Sequence, residues 1–325
     1  MTAKTPRTIQ IVSHGPSCLD GAMAAAAVAR FYGGERVTTI LPGNNDADHA
    51  LAGLRLKSGN DEIWITDLSW NLPATGAHLT ALAAAGARIF WIDHHRTAVG
   101  RADAPEFQVP FAGKVLSESY SAARLTFNFL KRRVRELPAE RRAAFEAFAP
   151  FALIADDHDR WIHKIPESPE WALAVQTLGG IASYREILKL KEPAMSRRLR
   201  AAFETGRDAM RRSIELARST LVDRKLANGI TVRGACCFGY SSEVAANLYA
   251  GQHRMVVALF DLRSQGVSLR RSADCEVDLS TLAREYGGGG HPAASGFSHP
   301  DLRRLPAERL ADLLGERLTR HPAAG

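Results

Sequence analysis

The sequence predicts an α/β protein: a doubly wound parallel sheet joined by a helical connector to a smaller α/β domain. Three observations predict it. Apolar runs rich in β-branched residues end abruptly on polar groups at His14 (TIQIVSH), Asp67 (EIWITD) and His95 (RIFWIDHH). Runs of that kind fit strands buried on both faces, as in parallel sheets. They alternate with stretches of helical length, the order of βαβ units. After a long amphipathic region, strand signals return near residue 230, where a second domain is expected.

In chain order, residues 8–12 read as the first strand and 14–20 as a loop. An Ala-rich helix is expected over 21–32, a second strand over 36–41 and a helix over 44–56. A third strand covers 62–67, a helix 79–85 and a fourth strand Arg88–Asp93. From Ser119 the pattern turns helical, over 121–135, 139–157 and 170–177. The stretch 184–225, dense in Arg and Lys with only occasional Gly, reads as a helical connector and not as a flexible linker. Strands follow at 230–235, 254–262 and Gly266–Arg271, with a short helix at Leu279–Glu285. The expected division is therefore 1–185, a connector over 186–225, and 226–325.

A chain of 325 residues exceeds the usual size of one domain and has enough residues for a substantial core. With 46% hydrophobic and 24% charged residues it is globular in composition, which argues against pervasive disorder. The net charge of +7 favours anionic ligands such as nucleotides. Cys18, Cys236, Cys237 and Cys275 have neither zinc-site spacing nor the density of a secreted disulfide scaffold. The opening MTAKTPRTIQIV lacks a secretory apolar core, and the Ala-rich run is too short and too weakly apolar to span a bilayer. A cytoplasmic protein with no membrane partner is the expectation.

In open α/β sheets ligands gather beyond the carboxyl ends of the strands. His14 and Asp20, Asp67, the Asp93-His94-His95 triplet, and an acid of ADDHDRW (Asp156, Asp157 or Asp159) are the pieces that could converge there. Mixed carboxylates and imidazoles suit two hard or borderline divalent ions, Mn²⁺ or Mg²⁺. Two such ions can polarise a phosphoryl oxygen and activate water for in-line attack. Further on, YGGGGHPAASGF offers backbone N–H groups that can approach a phosphate closely, with His291 able to add a hydrogen bond.

In this order the motifs resemble the DHH phosphoesterase superfamily, in the branch whose members carry a DHHA1 domain and which includes RecJ-like and oligoribonuclease-type enzymes; the likeness covers nearly the whole chain. It implies a DHH catalytic domain followed by a DHHA1 substrate-binding domain. It further implies that His14 ligates one metal and Asp20 the other, that Asp67 bridges them, and that His94 and Asp157 complete the set. Asp156 and Asp159 remain rivals to Asp157. His95 would face the substrate phosphate, with Asp93 orienting the imidazoles. Gly288, Gly289, Gly290 and His291 would grip substrate. Arg263, Arg270 and Arg271 are candidates for phosphate contact or for ordinary surface charge.

The sequence departs from the family pattern at Cys18, where many members have Asp. Cys18 is either a ligand or a small side chain beside a metal completed by water. Trp70 and Trp161 are candidates for stacking on bases, whereas Trp64 and Trp91 lie inside strands and are expected in the core. The expected activity is metal-dependent hydrolysis of a small nucleotide or short single-stranded oligonucleotide. Polyphosphate, a cyclic dinucleotide, or a nucleotide sensor without catalysis are the alternatives, and a homodimer is left open.

Overall fold

The computed structural model describes residues 7–33, 36–58 and 60–298. The chain divides into two compact units, 1–207 and 208–325. In the first, β1 (Thr8–Ser13), α1 (Leu19–Tyr32), β2 (Arg36–Ile40), α2 (Ala47–Ala52), β3 (Glu62–Thr66), α3 (Pro73–Ala84), β4 (Arg88–Asp93), α4 (Arg96–Arg101) and β5 (Gly113–Leu116) give a sheet in the order β2-β1-β3-β4-β5. Every pairing in it is parallel. The chain leaves β1 for β2 on one side and returns to β3 on the other, so a topological switch point lies between β1 and β3.

Apolar residues cover both faces of this sheet. On one, Trp64 stacks on Phe90 with centroids 4.1 Å apart, and Tyr32 of α1 meets Trp64 edge-on. On the other, Ile63, Ile65, Ile89 and Trp91 form one buried cluster with Leu51, Leu79 and Leu82 of α2 and α3. Trp70 is in that cluster and fully buried, so it is a core residue and does not stack on bases. Helix α1 is buried on nearly all sides, with Arg30 its one residue short of full burial. Its Ala-rich sequence is the means, because small side chains let neighbouring elements approach closely.

The helical part contains α5 (Ala122–Lys131), α6 (Ala139–Glu146), α7 (Ala149–Asp159), α8 (Ser168–Leu178) and α9 (Gly180–Ile187). The single helix expected over 139–157 is two, α6 and α7, with Pro150 in the first turn of the second. The connector region is likewise not one helix: α9 ends at Ile187, and α10 (Arg197–Ser219) begins only after a break that contains Pro193. The boundary between the units falls within α10.

In the second unit, β6 (Val222–Lys225), β7 (Thr231–Cys237), α11 (Ser241–Tyr249), β8 (Met255–Asp261), β9 (Gly266–Arg271), α12 (Leu279–Glu285), β10 (Gly289–His291) and β11 (Ala294–Phe297) form a mixed sheet in the order β10-β11-β9-β8-β7-β6. Among the described residues only β7 and β8 pair in parallel there, with α11 between them in the chain. The glycine run expected as a loop enters a hairpin, since Gly289–His291 pair antiparallel with β11. Residues 299–325, the end of the expected second domain, lie outside the described residues. Among the described residues no helix is long and apolar enough to cross a membrane.

Candidate metal centre

Sheet register brings three polar groups to one edge. Ser13 is level with Thr66, and Thr66 with Ile92. The residues just beyond, His14, Asp67 and Asp93, therefore leave three adjacent strands at the same height. The ladder continues one step further, because His14 N–H donates to Thr66 O (3.2 Å) and Asp67 N–H to Ile92 O (3.0 Å). Asp67 takes a left-handed conformation, φ 54°. For a non-Gly residue that costs roughly 1–3 kcal/mol and is typical of sites where function fixes the backbone.

The buried Asp67 carboxylate stands at the middle of the cluster. Its Oδ2 lies 3.4 Å from Cys18 Sγ and 3.5 Å from His14 Nδ1. Its Oδ1 lies 3.3 Å from His94 Nε2 and 3.8 Å from His95 Nδ1. His94 Nε2 is also 3.4 Å from Asp159 Oδ2 and 3.7 Å from Asp20 Oδ2. It is buried among three carboxylates and has no hydrogen-bond partner among the described residues. An orphaned nitrogen in such surroundings is unusual in a native fold and fits a ligand atom whose partner is a cation.

Other contacts fix the members in place. Asp20 accepts from the backbone N–H groups of Ala122 (2.7 Å) and Ala123 (2.9 Å), the first turn of α5. Asp93 Oδ1 accepts from His94 N–H (2.7 Å) and His95 N–H (3.1 Å) and pairs with His95 Nδ1 at 2.7 Å. That last contact holds the His95 ring and leaves its Nε2 on a side chain 41% exposed.

Charge is frustrated here. Burial, followed by the charges of Asp67 and Asp159, pushes Asp20 well above the usual carboxylate range. Asp159, whose side chain is 27% exposed, is raised as well, by desolvation beside its neighbours and by the charge of Asp67. Burial opposes charge on Asp67 too, but His14 and His94 beside it, and the charge on His95, hold it far below that range. At His94, burial works against protonation, yet Asp67, Asp20 and Asp159 raise it to about 10. Three carboxylates competing for the same protons form an environment that a divalent cation relieves.

Among the described residues, three groups have ligand atoms close enough to share an ion: His14, Cys18 and Asp67; Asp67, His94 and His95; Asp20, His94 and Asp159. Asp67 and His94 each belong to two of them. The oxygen and nitrogen donors fit Mn²⁺ or Mg²⁺. Cys18 caps α1, accepting from Gly21 N–H, and its thiol points at Asp67. Burial and the surrounding carboxylates push that thiol well above its ordinary value.

The ADDHDRW acids separate cleanly. Asp157 is not in the cluster. Its carboxylate accepts from Lys164 N–H (2.8 Å), Ile165 N–H (3.1 Å) and the Ser168 hydroxyl, which closes the turn after α7. Asp156 binds Ser121 N–H and Arg124, both at 2.7 Å. Asp159, the last residue of α7, reaches His94. Helical spacing puts Asp156 and Asp159 on one face, about 60° apart, and Asp157 about 100° or more from both, so spacing alone does not choose between Asp156 and Asp159.

In the second unit, Arg270 is partly buried and donates to Ser242 Oγ (2.9 Å) and Leu269 O (2.8 Å). His291 Nδ1 accepts from Ala293 N–H at 3.1 Å. Gly288 and Gly290 have backbone reasons for lacking a side chain, since a Cβ would lie 2.1 Å from Gly296 O and 2.6 Å from Ala294 O respectively. At Gly289 the same position is open.

No family model and no curated protein sequence matches the chain. Solved structures do. The DHH domain of a protein described as a member of a ribosomal-protein family is similar with a TM-score of 0.63 at 14% identity, over 94% of this chain and 86% of the other. The pGpG-specific phosphodiesterase PggH of Vibrio cholerae gives 0.53 at 13%, over 95% and 99%. Exonuclease RecJ bound to manganese gives 0.54 at 16%, over 94% and 88%. What is shared at these identities is architecture, and this chain has the fold of the DHH-domain proteins.

Proposed function

We propose that this protein is a divalent-metal-dependent phosphoesterase that hydrolyses a nucleotide or short single-stranded oligonucleotide. The observation that carries the reading is His94 Nε2 at the carboxyl edge of a parallel sheet, buried within 3.3–3.7 Å of Asp20, Asp67 and Asp159 and with no hydrogen-bond partner among the described residues. Supporting it, two structures of the same fold are described as a pGpG-specific phosphodiesterase and a manganese-bound exonuclease.

His14, Asp20, Asp67, His94 and Asp159 would hold two ions, with Asp67 shared between them. Bound there, the ions would supply Lewis-acid charge and lower the pKa of water. The chain's own part is positional. Asp93 fixes His95 through Nδ1, so that the Nε2 of this 41% exposed side chain is left to hydrogen-bond a phosphoryl oxygen as negative charge develops. The β3 backbone holds Asp67 in a conformation a free chain would rarely adopt. In the second unit, His291 and Arg270 are assigned to phosphate binding.

Hydrolysis of short oligonucleotides tests the reading. Turnover is expected to vanish in excess chelator and to return with Mn²⁺, and full activity in chelator would exclude the metal mechanism. A panel of dinucleotides, cyclic dinucleotides and polyphosphate assigns the substrate class.

A further inference from the structure

Four of the five tryptophans, Trp64, Trp70, Trp91 and Trp171, are buried in the first unit. The fifth, Trp161, is 43% exposed. It lies two residues beyond Asp159, in the turn that closes α7. We infer that Trp161 is the platform on which the base of a nucleotide substrate stacks. The inference rests on the phosphoesterase reading and deepens it, because it separates a nucleotide from a substrate made of phosphate alone.

Three features of the turn support the assignment. The backbone is held in a costly shape: Trp161 and His163 have φ of 56° and 52°, a region that residues with side chains seldom occupy. Asp157 maintains that shape. Its backbone carbonyl accepts from Ile162 N–H (2.8 Å), and its carboxylate takes Lys164 N–H and Ile165 N–H. A buried acid thus holds the turn that leaves the indole partly exposed, with the His163 ring 4.3 Å and the His158 ring 5.8 Å from it, centroid to centroid.

The flanking charge suits the rest of a nucleotide. Arg124 and Arg160 lie 2.7 and 3.7 Å from the same Asp156 carboxylate. One carboxylate thus faces two guanidiniums, each about one third exposed. Arg124 rests on the Tyr120 ring at 3.9 Å. Asp156 itself binds Ser121 N–H, and the next two amides of the chain bind Asp20 of the metal cluster. A cationic edge therefore adjoins the metal centre at the end of α7 that carries Trp161.

The test uses the Mn²⁺-loaded full-length protein and calorimetric binding of AMP, which has a base, against ribose 5-phosphate, which has none. Stacking on an aromatic side chain is worth about 1–3 kcal/mol per base, so wild type is expected to prefer AMP by about 5- to 150-fold. Trp161→Ala should erase that preference while leaving Mn²⁺ affinity unchanged, and Trp161→Phe should restore most of it. Arg160→Gln should weaken both ligands alike. Equal affinity of wild type for the two ligands overturns the inference without recourse to any variant, and so does an undiminished preference in Trp161→Ala. Because the readout is binding, absence of turnover would count against the phosphoesterase reading and leave this result interpretable.

Discussion

Asp157 and Asp159 are two residues apart on one helix end, yet the fold uses them for different purposes. The first organises a turn through backbone donors, and the second faces His94 at 3.4 Å. Asp157→Asn should therefore retain Mn²⁺ binding and lower stability. It weakens charge-assisted hydrogen bonds worth roughly 1.5–3 kcal/mol each, so a loss of about 2 kcal/mol is expected in denaturant titration. Asp159→Asn should keep the fold and lose Mn²⁺ affinity, read by calorimetry; the reverse pattern would return Asp157 to the cluster. Cys18 is a second such case. It caps α1 and sits 3.4 Å from Asp67 Oδ2. Asp caps helices at least as well, so Cys18→Asp should preserve α1, add a carboxylate to an already crowded group, lower the melting temperature in chelator and tighten Mn²⁺ binding. A variant that folds but binds no metal would remove Cys18 from the site.

At the scale of elements, the strands that carry the candidate metal centre could be read from the sequence because parallel strands buried on both faces must be nearly continuous apolar runs. β1, β3 and β4 announce themselves this way, and the residues just beyond them, His14, Asp67 and His94, are the candidate ligands. β5, GKVL, is a short edge strand with no buried residue and leaves no such trace. β10 contains only Gly289, Gly290 and His291 and is fully exposed, so composition pointed to a loop where backbone pairing makes a hairpin. The choice among three acids was not readable either, since it depends on where α5 meets α7. The hairpin makes a sharp prediction about its glycines. Gly288→Ala places a Cβ 2.1 Å from Gly296 O, a backbone atom that cannot swing aside, whereas Gly289→Ala meets open space. Thermal melts should show Gly288→Ala destabilised by more than about 2 kcal/mol and Gly289→Ala nearly unchanged. If Gly289→Ala nevertheless weakens substrate binding, the hairpin backbone approaches phosphate; an unaffected KM would leave its glycines with a structural role alone.

For the molecule as a whole, the two units have separate cores and the candidate ligands all lie in the first. A ligand stabilises only what it binds, by about 2.7 kcal/mol when its concentration is a hundred times Kd. For a unit of this size that corresponds to a rise of roughly 5–10 °C in melting temperature. The chain supplies its own reporter, because all five tryptophans lie at or before Trp171 and the second unit has none. The midpoint followed by tryptophan emission wavelength should therefore rise with Mn²⁺, and that rise should disappear in Asp67→Ala, which removes the carboxylate common to two of the three ligand groups. Far-ultraviolet dichroism records both units and should resolve the shifted part from the rest if they unfold independently. A tryptophan transition indifferent to Mn²⁺ at saturating concentration would mean that the cluster at the carboxyl edge of the sheet is not where the metal binds, and the mechanism built on His94 would fall with it.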